Sequence, residues 1–184
     1  MYLLRHGQSY FNLHFTPTRV DPGIEDPELT ELGHAQAEAA ALRMADVRLT
    51  QIIISPYMRA LQTAQPMLRF HRVPVEIMHE VRERAAFTCD VGSSPELLAA
   101  RFPHHDFKHL PSAWWSEPVE TLEATAIRAD NFRALMATRD GAGTTLLVSH
   151  WAFILALTGK SLTNGELLEY DPLSGAPQRI DWES

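Results

Sequence analysis

Apolar residues along this chain follow two periodicities. Short unbroken apolar runs mark buried strands at Tyr2–Arg5, ended by Gly7, at Gln51–Ile54, at Val73–Met78 and at Thr144–Val148. Between them, apolar positions recur three and four apart. Leu32, Ala35, Ala39 and Leu42 form a helical face that Thr30 can cap. Ser55-Pro56 opens a second helix, with serine as cap and proline in the first position. Ser94-Pro95 opens another, running to about Arg101 before Pro103. A long helix is predicted over 119–139, with Leu122, Ala126, Ala129, Phe132 and Met136 on one face and Gly141 and Gly143 at its end. Trp151–Leu157 reads as an apolar helix stopping at Gly159. Pro17, Pro22, Gly23 and Pro27 make 13–28 a loop, and Gln178–Trp182 reads as an edge strand.

Strands alternating with helices predict an α/β fold. The expectation is a three-layer sandwich with a mostly parallel central sheet and helices on both faces. A single domain over 1–184 suits the length, with a small cap or insert from the variable middle, about 84–118.

Composition narrows the function. The formal charge is −7, from 16 basic and 23 acidic side chains, and no dense basic stripe is present, which argues against a nucleic-acid binder. No apolar run is long enough to span a bilayer, and the N-terminal residues lack signal-peptide character. Cys89 is the single cysteine, so neither an internal disulfide nor a cysteine zinc site is expected. The default location is the cytoplasm.

In parallel sheets, ligands bind beyond the carboxyl ends of the strands. Arg5-His6-Gly7 ends the first strand, Ser55-Pro56 and Arg59 follow the second, and Ser149-His150 ends the Thr144–Val148 strand. Two arginines and two histidines at one sheet edge suit a tetrahedral dianion, because guanidinium forks pair with phosphate oxygens. Helix N-termini after Gly7, Ser55 and His150 would add N–H donors. A neutral histidine in such a site can attack phosphorus and carry the phosphoryl group. Gly7 would let the backbone turn sharply and approach the ligand.

These residues resemble a known family. Arg5-His6-Gly7-Gln8-Ser9 with Asn12, Asp26-Pro27-Glu28-Leu29-Thr30 with Gly33, Gln36 and Ala37, Ser55-Pro56 with Arg59, Ala60, Gln62, Thr63 and Ala64, and Leu147-Val148-Ser149-His150 resemble, in order, the signature blocks of the histidine phosphatase superfamily, the phosphoglycerate-mutase-like enzymes. The resemblance implies His6 as the phosphate-accepting nucleophile. It implies Arg5, Arg59 and His150 as ligands of the phosphoryl oxygens, with Asn12 adding a hydrogen bond. Glu83, in Val81-Arg82-Glu83, matches the family's general acid, which needs a raised pKa. The glycine-rich stretch that follows in the family is replaced by Arg84–Gly92, which leaves Asp90 as a second candidate acid. Trp151 stands where many members carry glycine.

Missing mutase features after Glu83 favour a metal-independent phosphatase branch, with a small phosphorylated substrate and no cofactor. The rivals are a mutase of the same superfamily and a silent phospho-ligand or protein-binding module. His104, His105 and His109 read as a surface loop between Pro103 and Pro111 rather than a metal site. Trp114-Trp115 could line a pocket or fill the core.

Overall fold

The computed structural model describes residues 1–115 and 119–183 of the chain. It contains β1 (Tyr2–Arg5), α1 (Tyr10–Thr18), α2 (Glu31–Met44), β2 (Gln51–Ile54), α3 (Met58–Ala64), β3 (Val75–Ile77), α4 (Pro95–Arg101), α5 (Leu122–Thr138), β4 (Thr145–Ser149), α6 (Trp151–Thr158) and β5 (Leu167–Glu169). The sheet order is β3-β2-β4-β1-β5. The first four strands are parallel, and β5 runs antiparallel along β1.

Side-chain alternation along the strands sorts the helices into two outer layers. Leu4, Ile52, Ile54, Leu146 and Val148 face one way, onto Ala40, Ala41 and Met44 of α2, Leu61 and Ala64 of α3, and Leu98 of α4. Leu3, Ile53 and Leu147 face the other way, onto Ala129, Phe132 and Met136 of α5 and Phe153, Ile154 and Leu157 of α6. The three-layer sandwich is therefore present.

Four local expectations need correction. The segment 13–28 is not loop throughout, because α1 runs to Thr18 with Pro17 inside it. A capping box between Ser9 and Asn12 starts that helix, and the stacked rings of Phe11 and Phe15, 4.9 Å apart, hold one face. Ser55 does not cap α3. The helix starts later, from Tyr57, and the Asp26 carboxylate accepts the Met58 N–H at 2.9 Å in place of a local cap. The antiparallel edge strand is Leu167–Glu169, not Gln178–Trp182. Ile180 and Trp182 instead pack as irregular chain against the α5–α6 layer. On α5, Leu122 is exposed, and Thr125 and Arg133 are buried beside Ala129, Phe132 and Met136.

The variable middle divides by packing. Phe102, Phe107, Leu110 and Trp114 join the core beneath α2 and α3. Residues 116–118 of the expected insert lie outside the described residues. Trp114 thus belongs to the core, its indole N–H donating to the Ser93 carbonyl at 2.9 Å.

Gly7 serves a packing need. A Cβ on Gly7 would lie 2.4 Å from the Gly33 carbonyl oxygen, and one on Gly33 would lie 2.1 Å from the Gln8 carbonyl oxygen. The turn after β1 is thus clamped against the first turn of α2. Gly33→Ala is expected to cost about 1–3 kcal/mol through overpacking, read as a lower urea midpoint. An unchanged midpoint would contradict the clamp.

Candidate active site

The turn after β1 holds His6 between two neighbours. Its N–H donates to the Ser149 carbonyl at 3.0 Å, continuing the β1–β4 ladder one residue past β1, and His150 follows directly on the other side. The His6 and His150 rings lie 5.1 Å apart. The Gly7 carbonyl sits 2.7 Å from His6 Nδ1. A carbonyl only accepts, so Nδ1 carries the proton and Nε2 keeps its lone pair. Burial, with the charges of Arg59 and Arg5, holds the His6 pKa well below its ordinary value. The ring is therefore neutral at neutral pH.

Arg5, His6, Asn12, Arg59, Glu83 and Asp90 all line one cavity of about 700 Å³ at the carboxyl ends of the strands. His150 lies fully buried beside it. A second cavity, of about 950 Å³, sits between β3 and α5 and contains none of these residues.

Arg59 is buried in α3. It donates to the Cys89 carbonyl at 2.8 Å and pairs with Asp90 at 3.2 Å, and its guanidinium lies 4.2 Å from the Tyr57 ring centroid. Tyr57 in turn donates its hydroxyl to the Asp90 carbonyl at 2.6 Å. Asp90 is fully engaged, since its other oxygen accepts the N–H groups of Ala86 and Phe87 at 3.0 and 3.1 Å. It is the anchor of Arg59, which makes it poorly placed to act as an acid. Arg5 donates to the Leu162 carbonyl at 2.5 Å, and burial pushes its pKa down to about 10, which still leaves it charged.

Glu83 follows a short turn of 3₁₀ helix, His79–Val81. Its carboxylate accepts the Ala152 N–H at 3.0 Å and the Arg84 N–H at 2.9 Å. It therefore caps the N-terminus of α6, a role assigned in advance to no side chain. Burial first, then the charge of Asp90, raise its pKa, against the Arg84 N–H and the charges of Arg59 and Arg5. The expectation that three helix N-termini point freely at a ligand is thus revised: Glu83 occupies that of α6, and Ser9 and Asn12 cap α1.

The bonds on Asn12 converge on its oxygen, from the N–H and hydroxyl of Ser9 and from Asn164. Its amide NH₂ is the part left for the cavity. Asn164 also donates to the His6 carbonyl at 3.1 Å, and the Gly165 N–H bonds the carbonyls of Arg5 and His6. The Asn164-Gly165 pair is a turn dipeptide, a local signal that could have pointed to this support. Ser55 has no such signal. Its hydroxyl meets His150 Nε2 at 2.7 Å, a contact only the fold creates. Two buried atoms here lack partners, His150 Nδ1 and Arg5 Nε.

Among the described residues, no group of three or more His, Cys, Asp or Glu is arranged to hold a metal ion. His109 instead meets the Ile77 carbonyl at 2.7 Å through Nε2. No helix among them is long and apolar enough to cross a membrane. Cys89 is buried, which pushes its thiol pKa up and keeps it un-ionised.

Known proteins are similar to this chain in sequence and fold. An uncharacterized protein of Mycobacterium tuberculosis is 31% identical over 170 residues, covering 88% of this chain and 80% of that one. The 2,3-bisphosphoglycerate-dependent phosphoglycerate mutase of Bartonella tribocorum is 43% identical over 68 residues, 36% of this chain and 31% of the mutase. The solved structure of the mycobacterial glucosyl-3-phosphoglycerate phosphatase superposes with a TM-score of 0.58 at 25% identity, over 86% of this chain and 77% of that one. The family model of the histidine phosphatase superfamily, branch 1, matches residues 1–176. With Arg5, His6, Arg59 and His150 gathered at one sheet edge, the chain belongs to the histidine phosphatase superfamily.

Proposed function

We propose that this chain is a phosphomonoester hydrolase working through a phosphohistidine on His6. The observation that carries the reading is the state of the His6 ring: neutral, with its Nδ1 proton donated to Gly7, and with Nε2 free in a cavity shared with buried Arg59 and half-buried Arg5. Nε2 attacks phosphorus in line, and the P–O bond to the leaving alcohol breaks. Glu83, whose protonated form burial favours, gives a proton to that oxygen. Water then attacks the phosphohistidine and loses a proton to the Glu83 carboxylate. The P–N bond breaks and His6 Nε2 regains its electron pair.

Charge on the equatorial oxygens is met by Arg5, Arg59, His150 and the Asn12 amide. A phosphoryl oxygen would supply the partner that Arg5 Nε and His150 Nδ1 lack. The charge is supplied by side chains, so the scheme calls for no metal or cofactor. A small phosphorylated molecule is the expected substrate, and the cytoplasm the expected setting.

Release of inorganic phosphate from generic phosphomonoesters, abolished in His6→Ala, tests the reading. Isomerisation of 3-phosphoglycerate faster than phosphate release would replace it with a mutase. Binding of phosphate without any turnover would replace it with a silent module.

A further inference from the structure

One part of the cavity wall is aromatic. Phe11 and Phe15 of α1 and Phe87 of the segment after Glu83 form a three-ring cluster on its wall. Phe15 lies 4.8 Å from Phe87 and 4.9 Å from Phe11, and Phe11 lies 5.5 Å from Phe87. Phe11 is buried beneath the other two. Phe87 is 41% exposed and lines the same cavity as Glu83. Trp151 lines the same cavity, its indole held by an N–H bond to the Ser161 hydroxyl at 3.0 Å. Arg19 sits 5.8 Å from the Phe15 ring centroid, so one cation is already engaged with the cluster.

Partly exposed rings on one cavity wall are an unsatisfied apolar surface. A short polyhydroxylated leaving group offers these rings little apolar contact. A flat ring can, through offset or edge contacts of the kind the three phenyl groups already make with one another.

We infer that the substrate class of this site is a phosphomonoester whose alcohol carries an aromatic ring, seated against Phe15 and Phe87. The inference rests on the phosphatase reading above. The replacement of the family's glycine-rich stretch by Arg84–Gly92 supplies Phe87, and so gives that departure a function.

The test compares phenethyl phosphate with glycerol 3-phosphate. Both are alkyl esters, so a phenol-like leaving group does not decide the ratio. The expected kcat/KM is about tenfold higher for phenethyl phosphate. Phe87→Ala and Phe15→Ala should each cut that ratio roughly three- to tenfold, mainly through KM, as expected for one aromatic contact. Phe87→Leu keeps apolar bulk without a ring and should restore only part of it. Both positions are partly exposed, which favours soluble, folded variants. Hydrolysis of both esters with no preference, or a preference that both alanine variants retain, overturns the inference and leaves the phosphatase reading standing. Failure to hydrolyse either ester overturns the phosphatase reading and the inference with it.

Discussion

Arg59→Met is expected to lower kcat/KM by about 10²–10³-fold and to destabilise the protein by about 3–5 kcal/mol. Two separate roles set these magnitudes. Toward the cavity, the guanidinium is a fixed positive group in a water-poor site, where charge stabilisation of the transferring phosphoryl group is worth most. Toward the interior, it is the partner of Asp90, and both side chains are nearly inaccessible to water. Removing the cation leaves a carboxylate buried without its counter-charge, which is the costly way to break such a pair. The two roles separate in a double variant. Arg59→Met with Asp90→Asn should recover much of the stability and none of the activity. Urea unfolding and steady-state kinetics on the same preparations check both halves. Full stability in Arg59→Met would mean that the pair is not buried as described. Full activity would remove Arg59 from the phosphate pocket.

Glu83→Gln is expected to lower kcat/KM on alkyl phosphates by about 10²–10⁴-fold, and far less on p-nitrophenyl phosphate, while the hydrolysis of the phosphohistidine slows alike for both. The difference arises because nitrophenolate leaves without a proton, whereas an alkoxide does not. The pH dependence has a definite sign. Turnover needs His6 neutral, which its depressed pKa secures into the acid range, and Glu83 protonated, which its raised pKa extends upward. Activity should therefore be highest on the acid side of neutrality and fall as pH rises through the Glu83 pKa. The glutamine variant should lose that alkaline limb. The limb's persistence in Glu83→Gln would assign it to another group. Ionisation of the substrate is common to both proteins and cancels in the comparison.

Much of this site could be read from the chain because its residues follow buried strands. β1, β2 and β4 are short apolar runs in a parallel sheet, and such runs are visible without any contact information. Arg5 ends β1, His6 and His150 follow β1 and β4 directly, and Arg59 lies in the first turn of the helix after β2. The layers were legible for the same reason, since β1, β2 and β4 each send side chains to both faces. What stayed hidden depends on contacts between distant segments. Ser55 looked like a helix cap, because serine before proline is a local signal. The fold gives its hydroxyl to His150, 95 residues away. Asp90 looked like a spare acid by its place after Glu83, and only the packing of α3 shows its carboxylate bound to Arg59. Pro17 suggested a loop, although the Ser9–Asn12 capping box and the Phe11–Phe15 stack carry α1 through it. The edge strand was misplaced because Leu167-Leu168-Glu169 is too short to show alternation.

The most direct test of His6 as nucleophile is covalent trapping. The protein is mixed with a ³²P-labelled phosphomonoester, quenched in alkali and separated from free phosphate. Attack by Nε2 predicts label that survives alkali, is lost in acid, and is absent from His6→Ala. Equal labelling of His6→Ala and wild type would contradict phosphoryl transfer through His6.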